Sequence, residues 1–329
     1  MRTPLAVLAF LATAMLAAAG CTTSAAQGNP ALPPGFAEAQ VPLTDLNAYL
    51  YVNPGAPVSV PVKWFGKVAG VQGVPPTALL GGADAIGVRR AAVGLGPTID
   101  HFAGSIAFMG EPEAQAAVEF AGSRPQTQAW RTGASAGIVY GNGDWPAAAK
   151  TSLQGGGGKP FAETYPEAWE LLRMAPASPP AKPMAAGFAR VEGDTLEKAA
   201  SRAGISLSGV GTALGSLKVV QAAFVAYADG NLDVKDRVDP AYFKEHGASA
   251  VAIVKSGYPG FLLGFFLNSF SGQAGLEKGT LADGQEVLTR DIGSAFVIVK
   301  PIGSVVFLAV APDKAEAEKV IEAVLKQQK

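Results

Sequence analysis

The chain has 329 residues with 26 basic and 27 acidic side chains, and only 16% of it is charged, against roughly 25% in ordinary globular domains. No block of like charge stands out, which argues against nucleic acid as a partner, because phosphate binding needs a basic patch to release counterions, and against an electrostatic membrane footprint. The length suggests about two domains, the 49% of apolar residues is ample for real cores, and the single cysteine leaves no internal disulfide framework.

Residues 1–20 read as a signal peptide: Arg2 supplies the positive start, and Leu5 to Ala19 form an apolar run. That run is short for a membrane span of roughly 20 residues. It ends Ala18-Ala19-Gly20-Cys21, which resembles the lipobox of bacterial lipoproteins, with Ala18 in place of the usual Leu. The resemblance implies a diacylglyceryl group on the Cys21 sulfur, cleavage before Cys21, and acylation (palmitate or a similar chain) of the new N-terminus. It makes the membrane a partner through Cys21 and places the protein in the cell envelope. Thr22 stands where Asp commonly marks inner-membrane retention; this implies the outer membrane in a diderm cell, and otherwise the outer face of the cytoplasmic membrane. Residues 21–40 then read as the lipidated N-terminus and a flexible tether, because 22–40 lack periodicity and are rich in small residues and Pro. Fully extended, this tether would reach about 60 Å.

A first α+β domain is expected over 41–154. Leu46 to Val52 reads as a strand, Val60 to Ala69 and Thr77 to Ile86 as helices, and Arg89 to Leu95 and Phe102 to Met109 as strands. Glu111 to Phe120 is a helix with Pro112 in its first turn. Thr127 to Arg131 and Ser135 to Tyr140 are strands, and AAAKTSL is helical. Residues 155–183 read as a Gly/Pro-rich linker holding a short amphipathic helix, Glu167 to Met174.

A second α+β domain is expected over 184–329. It opens with a strand, Ala185 to Val191, and a helix, Thr195 to Ala203, capped by Asp194 with Glu197 at the capping-box position. Asp229-Gly230 between Val219–Tyr227 and Leu232–Val238 is a hairpin signal. Ser249 to Lys255, Gln285 to Arg290, Ala295 to Val299 and Val305 to Val310 read as strands, with Gly303 in the last turn. The final helix starts near Pro312 and carries Ala317, Val320, Ile321, Val324 and Leu325 at helical spacing. The fold class is therefore α+β, each half a mostly antiparallel sheet packed with helices.

The halves match in pattern. The segment from His101 to Phe120 and the segment from His246 to Phe266 are each a strand, a turn ending in Pro, and a helix. The stretch from Arg131 onward aligns with the stretch from Arg290 onward. This suggests an internal duplication, and the layout of residues 41–329 resembles bacterial secreted or lipid-anchored proteins built from two copies of an α+β unit, whose function is unassigned. That resemblance rests on element order and carries no functional residues over.

Few constellations point to chemistry. Gly209 to Gly215 has the spacing G-x-G-x-x-x-G rather than that of a dinucleotide loop, and Gly158-Lys159 is followed by Pro160 where a phosphate loop needs Ser or Thr. Asp229, Asn231 and Asp233 have calcium-loop spacing, but Val234 and Pro240 stand where Gly and Glu are required. No metal and no cofactor is expected. His101 and His246 supply at best half a zinc site. A Ser-His-Asp triad is open by composition, but no G-x-S-x-G elbow occurs, and Gly104-Ser105 and Gly293-Ser294 lie in strand patterns. The carboxylates Glu111/Glu113 and Glu163, Glu167, Glu170 read as solvated helix faces. The remaining candidate is Phe261-Leu-Leu-Gly-Phe-Phe-Leu-Asn-Ser-Phe270, apolar on every side of a helix. Phe261, Leu262, Phe265, Phe266 and Phe270 are the candidate contacts for a partner or an apolar ligand, the alternative being a buried core helix. Three readings stay open: a non-enzymatic, lipid-anchored binding module for an envelope protein or lipid; a structural lipoprotein without ligand; and an exported hydrolase.

Overall fold

The computed structural model describes residues 31–37, 39–41, 45–52, 87–97, 101–154, 159–177, 181–191, 220–228, 248–255, 260, 271, 276–291 and 296–328. The signal peptide and Cys21, the helices read over 60–69, 77–86 and 195–203, the glycine-rich 209–215, the 229–240 loop, His246 and the candidate contacts at 261–270 all lie outside the described residues.

The strands in chain order are β1 (Gln40–Val41), β2 (Ala48–Val52), β3 (Val88–Leu95), β4 (Phe102–Phe108), β5 (Thr127–Thr132), β6 (Ser135–Tyr140), β7 (Lys159–Pro160), β8 (Lys182–Val191), β9 (Val220–Ala228), β10 (Ser249–Lys255), β11 (Glu277–Thr280), β12 (Glu286–Asp291), β13 (Phe296–Ile302) and β14 (Val305–Ala311). The helices are α1 (Glu111–Gly122), α2 (Trp145–Gln154), α3 (Phe161–Thr164), α4 (Pro166–Leu172) and α5 (Lys314–Gln327). Twelve strands form one antiparallel sheet in the order β11-β12-β13-β14-β10-β9-β8-β2-β3-β4-β6-β5, and β1 pairs with β7 in a separate ladder.

Both faces of the sheet's inner strands are buried, so those strands read as nearly continuous runs of small and apolar residues rather than alternating ones. Strand β10, SAVAIVK, is buried from Ser249 to Val254. Alternate residues feed two cores. Leu50, Val93, Ile106, Ile138, Ala252, Val299 and Leu308 belong to the first, with Ala114, Ala117 and Ala121 of α1 packed on them. Tyr49, Tyr51, Phe188, Val225, Ile253, Ile298 and Phe307 belong to the second, covered by α3, α4 and α5. Helix α2 lies on that second face, with Ala149 against Ala103 and Val139. Helix α5 forms as its spacing predicts: Ala317, Val320, Ile321, Val324 and Leu325 are all buried, and the Asp313 side chain accepts from the Glu316 N–H at 3.0 Å as the cap.

The β2–β8 pair joins the two flanks of the sheet, with Leu50 opposite Gly187. A Cβ on Gly187 would run into the Tyr49 carbonyl, so the strands come this close only because the side chain is absent. Outward from this pair the order on one side is β2-β3-β4-β6-β5, and on the other β8-β9-β10-β14-β13, with the hairpin β11–β12 beyond.

Two expectations need correction. Residues 31–40, assigned above to the tether, are folded where described: Ala31 and Phe36 are fully buried, and Gln40 opens β1, opposite Pro160. The Phe36 ring lies 4.6 Å from Phe161 and 5.7 Å from Tyr51, and the Tyr51 hydroxyl donates to the Pro34 carbonyl at 2.8 Å. Apolar burial overrides the Pro-rich composition. Second, the stretch 155–183 holds two short helices with buried Phe161, Ala168, Leu171 and Leu172, packed on the sheet rather than free of it. Strand β9 lies between β8 and β10; the strand read over 232–238 lies outside the described residues.

Candidate functional site

A set of polar side chains lies on the second face, at the end of the sheet where β2 and β4 begin and β3 and β8 finish. Register puts it there. Arg190 is opposite Gln221, the Arg190 N–H donates to the Asn47 carbonyl at 2.7 Å, Asn47 N–H donates to the Leu95 carbonyl, and Gly96 N–H donates to the His101 carbonyl, both at 2.9 Å. Gln221, Arg190, Asn47, Gly96 and His101 thus form one row across five strands, their side chains sharing a face because successive residues alternate.

The row is closed over by α2 and α4. His101 is buried; its Nε2 lies 3.2 Å from the Asn142 carbonyl, and its ring meets Trp145 edge-on at 5.1 Å. Close approach is required here too, since a Cβ on Gly96 would fall 2.7 Å from both His101 and Trp145. The Trp145 indole N–H donates to Asp45 Oδ1 at 3.4 Å, and Asn47 Nδ2 donates to the Pro97 carbonyl at 2.9 Å. The Tyr165 hydroxyl accepts the Leu46 N–H at 3.0 Å, and the Arg190 guanidinium sits 5.8 Å from the Tyr165 ring centre. Gln221 Nε2 donates to Glu167 Oε2 at 2.6 Å. Burial pushes the Tyr165 phenol well above its ordinary range, opposed by the Leu46 hydrogen bond and by Arg190.

Three of these contacts, from His101, Asn47 and Tyr165, are to backbone groups. The His101 Nε2 contact above is with a backbone carbonyl, where a triad would need a hydroxyl or carboxylate. Ser105 lies in β4, as the strand pattern expected. The carboxylate pairs are taken up structurally: Glu111 bridges Arg131 at 2.6 Å, and Glu170 bridges Arg173 at 3.1 Å. Glu113 departs from the solvated reading, because its Oε2 is buried without a hydrogen-bond partner. The described residues contain no group of three or more His, Cys, Asp or Glu side chains placed to hold a metal ion. Asp45, Asn47, Trp145, Tyr165 and Arg190 were not singled out in the sequence; the residues of the row come together through strand register across as many as 174 positions, which no local pattern records.

No protein-family model, curated protein or solved structure matches the chain.

Proposed function

We propose that this chain is a lipid-anchored envelope protein serving as a non-enzymatic binding module for a partner protein or an apolar ligand, on a body that arose by internal duplication. The observation that carries the non-enzymatic part is the polar row: the groups that general acid–base chemistry would use are engaged in positioning backbone. His101 meets the Asn142 carbonyl, and Tyr165 takes the Leu46 N–H. The anchoring part rests on Ala18-Ala19-Gly20-Cys21. With Ala31 already buried, the residues between Cys21 and the body reach at most about 35 Å, so the body stays beside the bilayer.

Duplication is supported by the two flanks of the sheet, β2-β3-β4-β6-β5 and β8-β9-β10-β14-β13. The hairpins β5–β6 and β13–β14 also turn alike, through Gly133-Ala134 and Gly303-Ser304, with φ of 58° at both glycines. Glycine at the first central position suits the primed turns that match strand twist. The candidate wall for an apolar ligand or partner remains Phe261, Leu262, Phe265, Phe266 and Phe270. A structural lipoprotein without ligand is the second reading, favoured by the burial of both faces of the sheet's inner strands.

Two experiments test the proposal. Cys21→Ser is expected to move the protein from the membrane to the soluble fraction and to remove the acyl mass; retention at the membrane would contradict anchoring. The lipidated protein, purified from membranes, is expected to carry stoichiometric lipid or a bound protein by mass spectrometry, lost in a folded Phe265→Asp variant. Neither lipid nor protein on the parent chain would leave the scaffold reading.

A further inference from the structure

The two ends of the sheet differ. At one end, β11 is only four residues long, and Glu277 and Lys278 are exposed on it. Short, charged edge strands resist pairing with other chains. At the other end β5 offers six residues, TQAWRT, with one charge. That charge is engaged within the chain: Arg131 is bonded to Glu111 at 2.6 Å and to the Gly133 carbonyl at 3.1 Å. Among the described residues no strand lies beyond β5.

The register shows which backbone groups point outward from the sheet. Thr132 and Ser135 flank the two-residue turn, so their mutual hydrogen bonds close it. By alternation Gln128, Trp130 and Thr132 point their N–H and C=O groups at β6, while Thr127, Ala129 and Arg131 point theirs away from the sheet. In the corresponding hairpin the corresponding edge is filled: β13 takes β12 antiparallel, with Leu288 opposite Val299 and Arg290 opposite Val297. Counting back from each turn, Val299 and Ala129 occupy the same place, and both face the first core. The edge that receives a strand on one flank has none beside it on the other among the described residues.

We propose that β5 pairs antiparallel with β5 of a second copy about a twofold axis through Ala129, making one continuous sheet twice as wide. Only this register uses all three outward residues, setting Thr127 against Arg131, Gln128 against Trp130, and Ala129 against itself. It places no like charges opposite one another. The twofold runs the two α1 helices antiparallel on the same face, so the end of each carrying Glu111 and Glu113 lies toward the end of the other where Arg124 sits. Phe120 is 40% exposed on α1, with Arg124 4.9 Å from its ring centre. Anchored chains share one surface, which raises their effective concentration.

Single cysteines in the full chain carrying Cys21→Ser test the register. Residue 129 faces itself across the axis at about 5.5 Å between Cα atoms, within disulfide reach. Ala129→Cys should therefore cross-link on mild oxidation ~10-fold faster than Thr127→Cys or Arg131→Cys alone, and those last two, mixed, should form the mixed disulfide. Equal rates at all three positions would overturn the proposal. Ala129→Pro removes an N–H that the chain's own ladder does not use; sedimentation should show the parent chain as a dimer and this variant as a monomer with unchanged far-ultraviolet dichroism. A parent chain that sediments as a monomer, or a dimer that survives the proline, contradicts the pairing. The cysteine series decides the register independently of how the proline is tolerated.

Discussion

At the scale of single residues, the second core depends on phenols held in apolar surroundings. Tyr49 and Tyr227 are essentially fully buried, their hydroxyls have no hydrogen-bond partner among the described residues, and burial pushes both well above the ordinary tyrosine range. In the folded chain they stay neutral where an unfolded chain ionises, above about pH 10. The folded state then holds more protons, so stability is complete below pH 10 and falls as pH rises beyond it, by about 1.4 kcal/mol per pH unit for each such tyrosine. Tyrosinate absorbance should appear together with loss of the far-ultraviolet signal; phenols that titrate near pH 10 with the fold intact would show that they are not buried. Tyr165 differs, because its hydroxyl receives the Leu46 N–H. Tyr165→Phe should cost about 1–3 kcal/mol by orphaning that donor, read as a shift in the urea midpoint.

The element scale shows what the sequence reveals and what it conceals. Strands β10, β13 and β14 are legible because burial on both faces makes them unbroken runs of β-branched, small and aromatic residues. Strand β11, EKGT, has no such run and exists as the partner of β12. The segment 31–41 looked like a tether because Pro and small residues hide one decisive side chain, Phe36, and its pocket comes from residues 13 to 133 positions away: Tyr49, Tyr51, Phe161 and Trp169. The polar row was likewise invisible, since it depends on which residue of each strand lies opposite which. The lining of Phe36 makes the segment a structural element, and Phe36→Ala should destabilise the protein by about 3–5 kcal/mol. A thermal midpoint unchanged by that substitution would return 31–41 to the role of a tether.

For the whole molecule, the central claim is that the two flanks form one folded body rather than two domains on a linker. The join is the β2–β8 ladder, from Ala48–Ala189 to Val52–Ala185, reinforced by the 159–177 segment, which packs through Phe161, Tyr165 and Leu172 on strands from both flanks. Helix α5 adds a tie from the far end of the chain, with Gln327 Nε2 donating to the Arg173 carbonyl at 2.8 Å and its Oε1 accepting the Ala177 N–H at 2.6 Å. The shared sheet explains why an anchor at one terminus would orient the entire body. The most direct measurement is urea unfolding followed by two signals. All four tryptophans lie before residue 170, so their fluorescence reports the first flank and the linking segment, while far-ultraviolet dichroism reports both flanks. A single body requires the two curves to coincide in midpoint and slope; a dichroism transition that continues after the fluorescence change is complete would mean that the second flank folds by itself, and would contradict the claim.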